Sequence, residues 1–411
     1  MYVQNPSGMP TLARRLRTHR SRRAGSGAHL IPPLLLKDAG KALRSHGTET
    51  PRRLLLPNYA ASAFREAANR LAQRRRAFSP DLLIAYSIKT NPSPDLLGLA
   101  RDCGMWAEAI AQTETTHAVG LGFPSEHIVL NGPGKWWPGS SKTPVYGAIF
   151  CDSLQELRAL HRRVLSGEVR AEAFGVRLRP ATVRSRFGIG FHDPSTFGKV
   201  VALLNTLPRT QALGFHFHIA SSMVGVRTWH SLAENFLAAV EVLCDRLRNR
   251  TVTLSFGGGW HPDDWASFLR GELQRLVATC QRRLPMVRRI ILEPGKALSQ
   301  RSMCLLTRVL EVRRSRAYTE LVIDGSIAEL PDVRSHPHRV VSLNSSGAPV
   351  VWGAGHDRVL GRLCMEFDIL SDAVHVPRDI REGALVAYLD AGAYDASMAY
   401  SFGKGGASAL P

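Results

Sequence analysis

Four stretches of the chain, each just past a short apolar run, carry side chains that could do chemistry together. Lys89 follows Ala85-Tyr86-Ser87-Ile88. A lysine emerging from such a run into partly dry surroundings loses some preference for the charged form, and its amine becomes a nucleophile toward carbonyls. His218 and Ser221 close the run 211–219. A flat imidazole can lie against an aromatic face, and a nearby hydroxyl can bond a phosphate. Gly257-Gly258-Gly259 follows 252–256. Three glycines let backbone N–H groups crowd around an anion. Glu293 and Gly295 end 288–293. A carboxylate there can pair with a protonated ring nitrogen and make that ring a better electron sink. Taken singly, these are a loop lysine, a satisfied core histidine, a tight turn and a surface turn. Taken together they are an amine, a stacking ring, a phosphate cradle and a carboxylate. Those are the parts of a site for pyridoxal 5'-phosphate, with Lys89 as the Schiff-base lysine.

The elements that must position them alternate in type. Short apolar runs fall at 82–88, 105–109, 127–131, 146–151, 172–179, 211–219, 252–256 and 288–293. Amphipathic stretches at 60–77, 153–165, 228–248 and 261–284 separate them. The link between 131 and 146 is short and rich in Pro and Gly, which argues against a helix there. Eight strands in strand-then-helix order imply parallel pairing. The count predicts an α/β fold with a (β/α)8 TIM barrel, ahead of an open doubly wound sheet. Chemistry in such a barrel sits at the C-terminal strand ends, where the four features fall.

After about residue 300 the helical pattern fades. Short β-like runs at 303–313, 320–324, 339–343, 349–352 and 384–389 predict a C-terminal β domain, a sandwich or small barrel. The expected division is 1–29 as a flexible basic tail, 30–57 as a lead-in that adds a strand to the β domain, 58–300 as the barrel and 301–411 as the β domain.

With 411 residues the chain can bury a large core, and no apolar run approaches a membrane span. The formal charge of +19 comes mostly from arginines spread along the chain, with no zinc-finger spacing or RNA-binding signature. The expected partner is therefore a small-molecule substrate, not nucleic acid or membrane. Arg14, Arg15, Arg17, Arg20, Arg22 and Arg23 concentrate in 1–29, but no apolar stretch follows Arg22-Arg23 as an export signal requires. The six cysteines show no CxxC pair, so neither a disulfide framework nor a metal site is expected, and a reducing cytoplasm fits.

Read in order, these segments resemble the alanine-racemase-like, fold-type III pyridoxal phosphate decarboxylases, of which the diaminopimelate and ornithine decarboxylases are members. Tyr86–Asn91 resembles the family's Schiff-base lysine segment, and Asn131-Gly132-Pro133-Gly134-Lys135 its GPGK turn. Ser185–Gly188 resembles a KFG element. His216–Ser221 resembles HFHIGS, with Ala220 in place of a glycine. Leu363–Asp368 resembles the catalytic cysteine segment, and Asp390–Tyr394 the DAGAY segment whose tyrosine approaches the cofactor phosphate. The resemblance covers roughly 60–400. It implies a head-to-tail homodimer in which Cys364 reaches into the partner's site and reprotonates the substrate's α-carbon after carbon dioxide has left. The implied activity is a carboxy-lyase of amino-acid metabolism. A racemase or other enzyme on the same scaffold, or a catalytically silent relative, stays open beside it.

Departures from the pattern bear on substrate. Diaminopimelate decarboxylases read Cys-Glu-Ser where Met365 follows Cys364 here, and Glu366 stands one place later. The family's EPGR arginine is Lys296, which keeps the charge but not the bidentate fork. Both argue against diaminopimelate itself. Lys296, Asp332, Glu366 and Asp368 are the expected substrate-pocket residues.

Overall fold

The structure, a computed structural model, describes residues 31–45, 49–75, 80–137, 144–180, 182–190, 193–247 and 250–403. The basic segment 1–29 lies outside them.

Eight parallel strands close into a barrel. They are Asp81–Ser87, Trp106–Ala109, Ile128–Leu130, Val145–Cys151, Arg170–Arg179, Ala212–His216, Val252–Ser255 and Val287–Leu292. The first pairs with the second and the eighth, and the fourth closes onto the fifth from Val145↔Arg170 to Cys151↔Val176. These are the eight apolar runs, with ends shifted by up to three residues in either direction. Alternation explains the closure. Leu82, Ile84 and Tyr86 pack outward into the cluster shared with the helices. Leu83 and Ala85 pack inward with Trp106, Val129, Ala148, Phe150, Ala173 and Ile291.

The helices begin where their capping residues dictate. Ser93 accepts from the Leu96 N–H ahead of Pro94–Asp102, and Ser153 accepts from the Glu156 N–H ahead of Leu154–Leu165. Asp193 caps Pro194–Asn205. The single helix expected over 261–284 is instead Pro262–Ser267, a wider π turn over Phe268–Glu272, then Leu273–Arg283. The wider turn shifts the helix face in mid-course, and Trp265, Phe268, Leu273, Leu276 and Val277 are all buried. Residues 131–137 carry no helix. No helix among the described residues is long and apolar enough to cross a membrane.

Beyond residue 302 the chain contributes seven strands to one curled mixed sheet, whose eighth strand comes from the lead-in. Met303–Arg314 is its spine, paired antiparallel with Leu385–Tyr388 and with Thr319–Ile323. The lead-in splits in two. Pro33–Leu43 is a helix, and its Leu35, Ala39 and Leu43 are buried with Cys304, Leu306, Val341 and Leu389. Only Arg52–Leu55 is a strand, antiparallel to Met303–Leu306. Two strands escape the sequence reading, Ala354–Leu360 and Ile369–Val374. Each is half polar, and pairing rather than apolar character makes them strands. Arg301 ties the sheet to the barrel: it grips Asp263 with two bonds of 2.7 Å and lies 3.9 Å from Asp390.

Candidate active site

Continuing the inward alternation by one step past each strand reveals the site. The inward positions that follow Ala85, Trp106, Val129, Phe150, Gly175, Gly214, Thr253 and Ile291 are Ser87, Glu108, Asn131, Asp152, Arg177, His216, Ser255 and Glu293. Every strand thus ends on a polar group aimed into the barrel mouth. Sequence reasoning found His216 only through its motif and missed Glu108, Asp152, Arg177 and Ser255. The signal was present in all but the seventh strand as a polar residue two places beyond the last inward non-polar one.

These groups bond to one another. Glu293 is buried; it accepts from Ser255 Oγ at 2.6 Å and Asn131 Nδ2 at 2.8 Å, and lies 3.3 Å from His216 Nε2. Burial alone would raise its pKa, but His216 and His218 outweigh that and hold it well below the usual carboxylate range. It stays an anion, as the partner of a protonated ring nitrogen must. His218 Nδ1 accepts from the Gly258 N–H at 3.1 Å, which leaves the ring proton on Nε2. Burial pushes His218 down to about 4, so the imidazole is neutral at physiological pH. His216 Nε2 and His218 Nδ1 lie 3.3 and 3.9 Å from Glu293 Oε2, so the three side chains form one cluster on the floor of the site.

Lys89 sits in a 3₁₀ turn, Ile88–Thr90, that ends the first strand. Its Nζ pairs with Glu108 Oε2 and bonds Ser87 Oγ at 2.9 Å, while Ser87 Oγ donates to the same Glu108 oxygen at 2.5 Å. This corrects the expectation of a depressed amine. Burial does push Lys89 down, but Glu108, with a further pull from Glu293, raises it above the ordinary lysine value. Before the cofactor arrives the amine is a held cation, and the neutral form arises by handing a proton to its neighbours.

Glu114 adds a second carboxyl on this side. Burial pushes it up to about 7, with Glu108 adding repulsion against the Ile110 N–H bond that favours the anion. The unfolded chain releases this proton from about 4.5, while the folded protein holds it to about 7. Stability is therefore lost as pH rises between those values and is level above them. Glu114→Gln keeps the acceptor for Ile110 and removes the charge. In urea unfolding it should gain on the wild type by about 2 kcal/mol between pH 5 and pH 8, allowing for partial exposure. Equal gaps at the two pH values would refute this.

The glycines make room. Gly257 has φ +61°, and a Cβ there would stand 2.5 Å from His218 Nδ1. A Cβ on Gly295 would stand 2.0 Å from Thr90 Oγ1. Gly257→Ala should therefore both strain the loop and displace His218. The left-handed backbone alone costs a non-glycine residue roughly 1–2 kcal/mol, so cofactor affinity, read by absorbance titration, should fall about tenfold.

The remaining expected residues divide. Tyr394, in a left-handed conformation, donates its N–H to Thr90 O at 2.8 Å and lies close enough to Lys89 to act on its charge. Lys296 is buried at the start of the turn after Gly295. The side chain of Ser221 lies outside the described residues. Cys364 and Glu366 are exposed on the loop 361–368 of the β domain. Asp368 is buried in that loop with its oxygens spent on the N–H groups of Ile327 and Leu363, at 2.9 and 2.8 Å. It shapes the loop. Asp332 Oδ2 lies 2.9 Å from His336 Nδ1.

Residues 64–300 match the family described as pyridoxal-dependent decarboxylase, pyridoxal binding domain, which is more than half of the chain. The chain belongs to the pyridoxal-dependent decarboxylases. A diaminopimelate decarboxylase of Bacteroides thetaiotaomicron is 24% identical over 353 residues, covering 79% of this chain and 86% of that one. An L-glutamyl-[BtrI acyl-carrier protein] decarboxylase of Niallia circulans is 22% identical over 369 residues, covering 79% and 81%. The crystal structure of diaminopimelate decarboxylase from M. jannaschii superposes with a TM-score of 0.72 at 18% identity, covering 89% of this chain and 86% of that one. It shares the barrel and the second, sheet domain.

Pyridoxal phosphate is the family's cofactor, and the residues present fit it. An amine stands at one side of the mouth, a permanent carboxylate on the floor, a neutral imidazole between, and a glycine loop that tolerates no Cβ beside them.

Proposed function

We propose that this decarboxylase holds pyridoxal phosphate on Lys89 and removes the α-carboxylate of an amino acid or amino-acid-like biosynthetic intermediate, with Cys364 serving the site of a second copy of the chain. The observation that carries this reading is Lys89 itself, set at the end of the first barrel strand and facing the carboxylates of Glu108 and Glu293.

The bound cofactor supplies an electron sink for the pair left when the bond from Cα to the carboxylate breaks. The protein's residues do the rest. Lys89 anchors the aldehyde carbon, and Glu108 and Ser87 receive and return its proton. Glu293, kept anionic by its neighbours, holds a proton on the ring nitrogen. His218, neutral and fixed by Gly258, offers its flat face to the ring. Gly257–Gly259 and Tyr394 take the phosphate. The Cys364 thiol gives its proton to Cα once carbon dioxide has left.

An exposed apolar face supports the shared site. Phe367 lies on the Cys364 loop, and Met398, Tyr400 and Phe402 follow the Tyr394 segment; all are exposed in the single chain. A face of this kind is covered when two copies associate. Of the acids expected in the substrate pocket, Asp368 bonds backbone N–H groups and Asp332 faces His336, while Glu366 is exposed on the Cys364 loop, one place from where diaminopimelate decarboxylases carry their glutamate. Together with Met365 and Lys296 this favours a substrate other than diaminopimelate itself, and the carrier-linked glutamyl substrate named for the Niallia relative is the alternative class to test.

The test is carbon dioxide release from 1-carboxyl-labelled diaminopimelate, ornithine, lysine, arginine, glutamate and glutamyl conjugates. Release from a conjugate and not from the free diamino acids is expected. Inversion of the α-carbon with the label retained would mean a racemase and would overturn the reading.

A further inference from the structure

The segment 390–395 crosses from the β domain to the barrel beside Lys89, and it does so in a costly conformation. Asp390 and Tyr394 have φ of +64° and +66°, a region that side chains other than glycine and asparagine rarely adopt. Such a backbone persists only where its surroundings impose it. At Tyr394 the imposing contacts lie one residue further on. Asp395 is fully buried; its Oδ2 lies 2.7 Å from His338 Nε2 and its Oδ1 accepts the Asp332 N–H at 3.1 Å. Its carbonyl accepts from Arg53 Nη2 at 3.1 Å. His338 is buried too, and its Nδ1 faces the His336 carbonyl at 2.8 Å. Both ring nitrogens therefore point at acceptors, and the ring serves as a charged, two-ended clamp on Asp395.

We propose that the His338–Asp395 pair is a positioning device for the cofactor phosphate. It locks Tyr394 in its left-handed conformation against Thr90, so that the Tyr394 hydroxyl is presented to that phosphate. This rests on the reading that Tyr394 meets the phosphate. It assigns to the buried pair, which touches neither cofactor nor substrate, a share of the selectivity for the phosphorylated cofactor. A buried pair of purely structural value would stabilise the fold without distinguishing one aldehyde from another.

The full-length apo-protein is titrated with pyridoxal 5'-phosphate and with pyridoxal, following the absorbance of the borohydride-reducible adduct on Lys89. In His338→Ala, affinity for the phosphorylated aldehyde should fall about tenfold, the worth of one charge-assisted hydrogen bond, while pyridoxal affinity stays level. His338→Gln, whose amide N–H still reaches Asp395, should recover most of the loss. In a Tyr394→Phe background His338→Ala should cost nothing further. Equal weakening of both aldehydes, or the same additional loss in Tyr394→Phe, overturns the proposal. If His338→Ala does not fold, Asp395→Asn is carried through the same cycle with the same criteria. A wild type that forms no adduct with either aldehyde overturns the cofactor reading itself. A wild type that forms one, but whose preference for the phosphorylated aldehyde is undiminished in Tyr394→Phe, overturns the role of Tyr394 and with it this proposal.

Discussion

Lys89→Ala should lower decarboxylation at least a thousandfold, in line with removing an anchor that also moves protons. The geometry says what else should follow. The glycine loop, Glu293 and His218 lie on other strands and stay in place, so the variant should still bind pyridoxal phosphate, noncovalently and more weakly. Borohydride treatment should then leave no modified lysine peptide, whereas wild type should yield one containing Lys89. The variant also strands Glu108, which is buried and loses its cationic partner. Glu108 keeps only the Ser87 hydrogen bond, and a buried carboxylate that loses its ion-pair partner costs roughly 3–5 kcal/mol, so a lower melting temperature should accompany the loss of activity. Mass spectrometry of the reduced peptide is the decisive measurement. A reducible adduct that persists in Lys89→Ala at another lysine would move the anchor elsewhere and sink the assignment.

Cys364→Ala should lower kcat by roughly two to three orders of magnitude while leaving cofactor uptake unchanged, as expected for loss of a proton donor to the α-carbon. Within one chain Cys364 is exposed on a β-domain loop, and the loop's rigidity comes from Asp368. An exposed thiol gains a catalytic role only if another surface closes over it. Mixing Lys89→Ala with Cys364→Ala tests this in a way that a structural role for the cysteine does not mimic. Random exchange of subunits makes half of the dimers mixed, and each mixed dimer has one intact site, so about a quarter of wild-type activity should return. No recovery, with exchange verified by a tagged subunit, would place both groups in one chain's own site and refute sharing.

The two predictions draw on unequal kinds of legibility. Lys89, Gly257–Gly259 and Glu293 were readable because strand ends are written locally, by apolar runs that stop. Their order along the chain then becomes their order around the barrel through parallel pairing. Glu108 was hidden: within Met105-Trp106-Ala107-Glu108-Ala109 it reads as a lapse in an apolar strand. It matters because that strand pairs with the Lys89 strand, Ser87 opposite Glu108. Asp368 misled in the opposite direction, since a carboxylate near a catalytic cysteine looks available until the fold brings Ile327 and Leu363 onto it. Ala354–Leu360 and Ile369–Val374 were unreadable for a related reason. A half-polar strand is made by its neighbour's hydrogen bonds, which no local pattern records.

The sequence alone therefore determined the barrel and the placing of Lys89, the glycine loop and Glu293 at its strand ends, because hydrophobic period and glycine placement act over a few residues. Only the tertiary structure decided the charge states of those groups and the commitments of the acids around them. Lys89 became a held cation and Asp368 a loop staple through partners 19 and 41 residues away in the chain, and His218 a neutral ring through burial. Burial and ion pairing depend on which groups meet in space, and that meeting is settled by the closure of the barrel and the docking of the sheet against it.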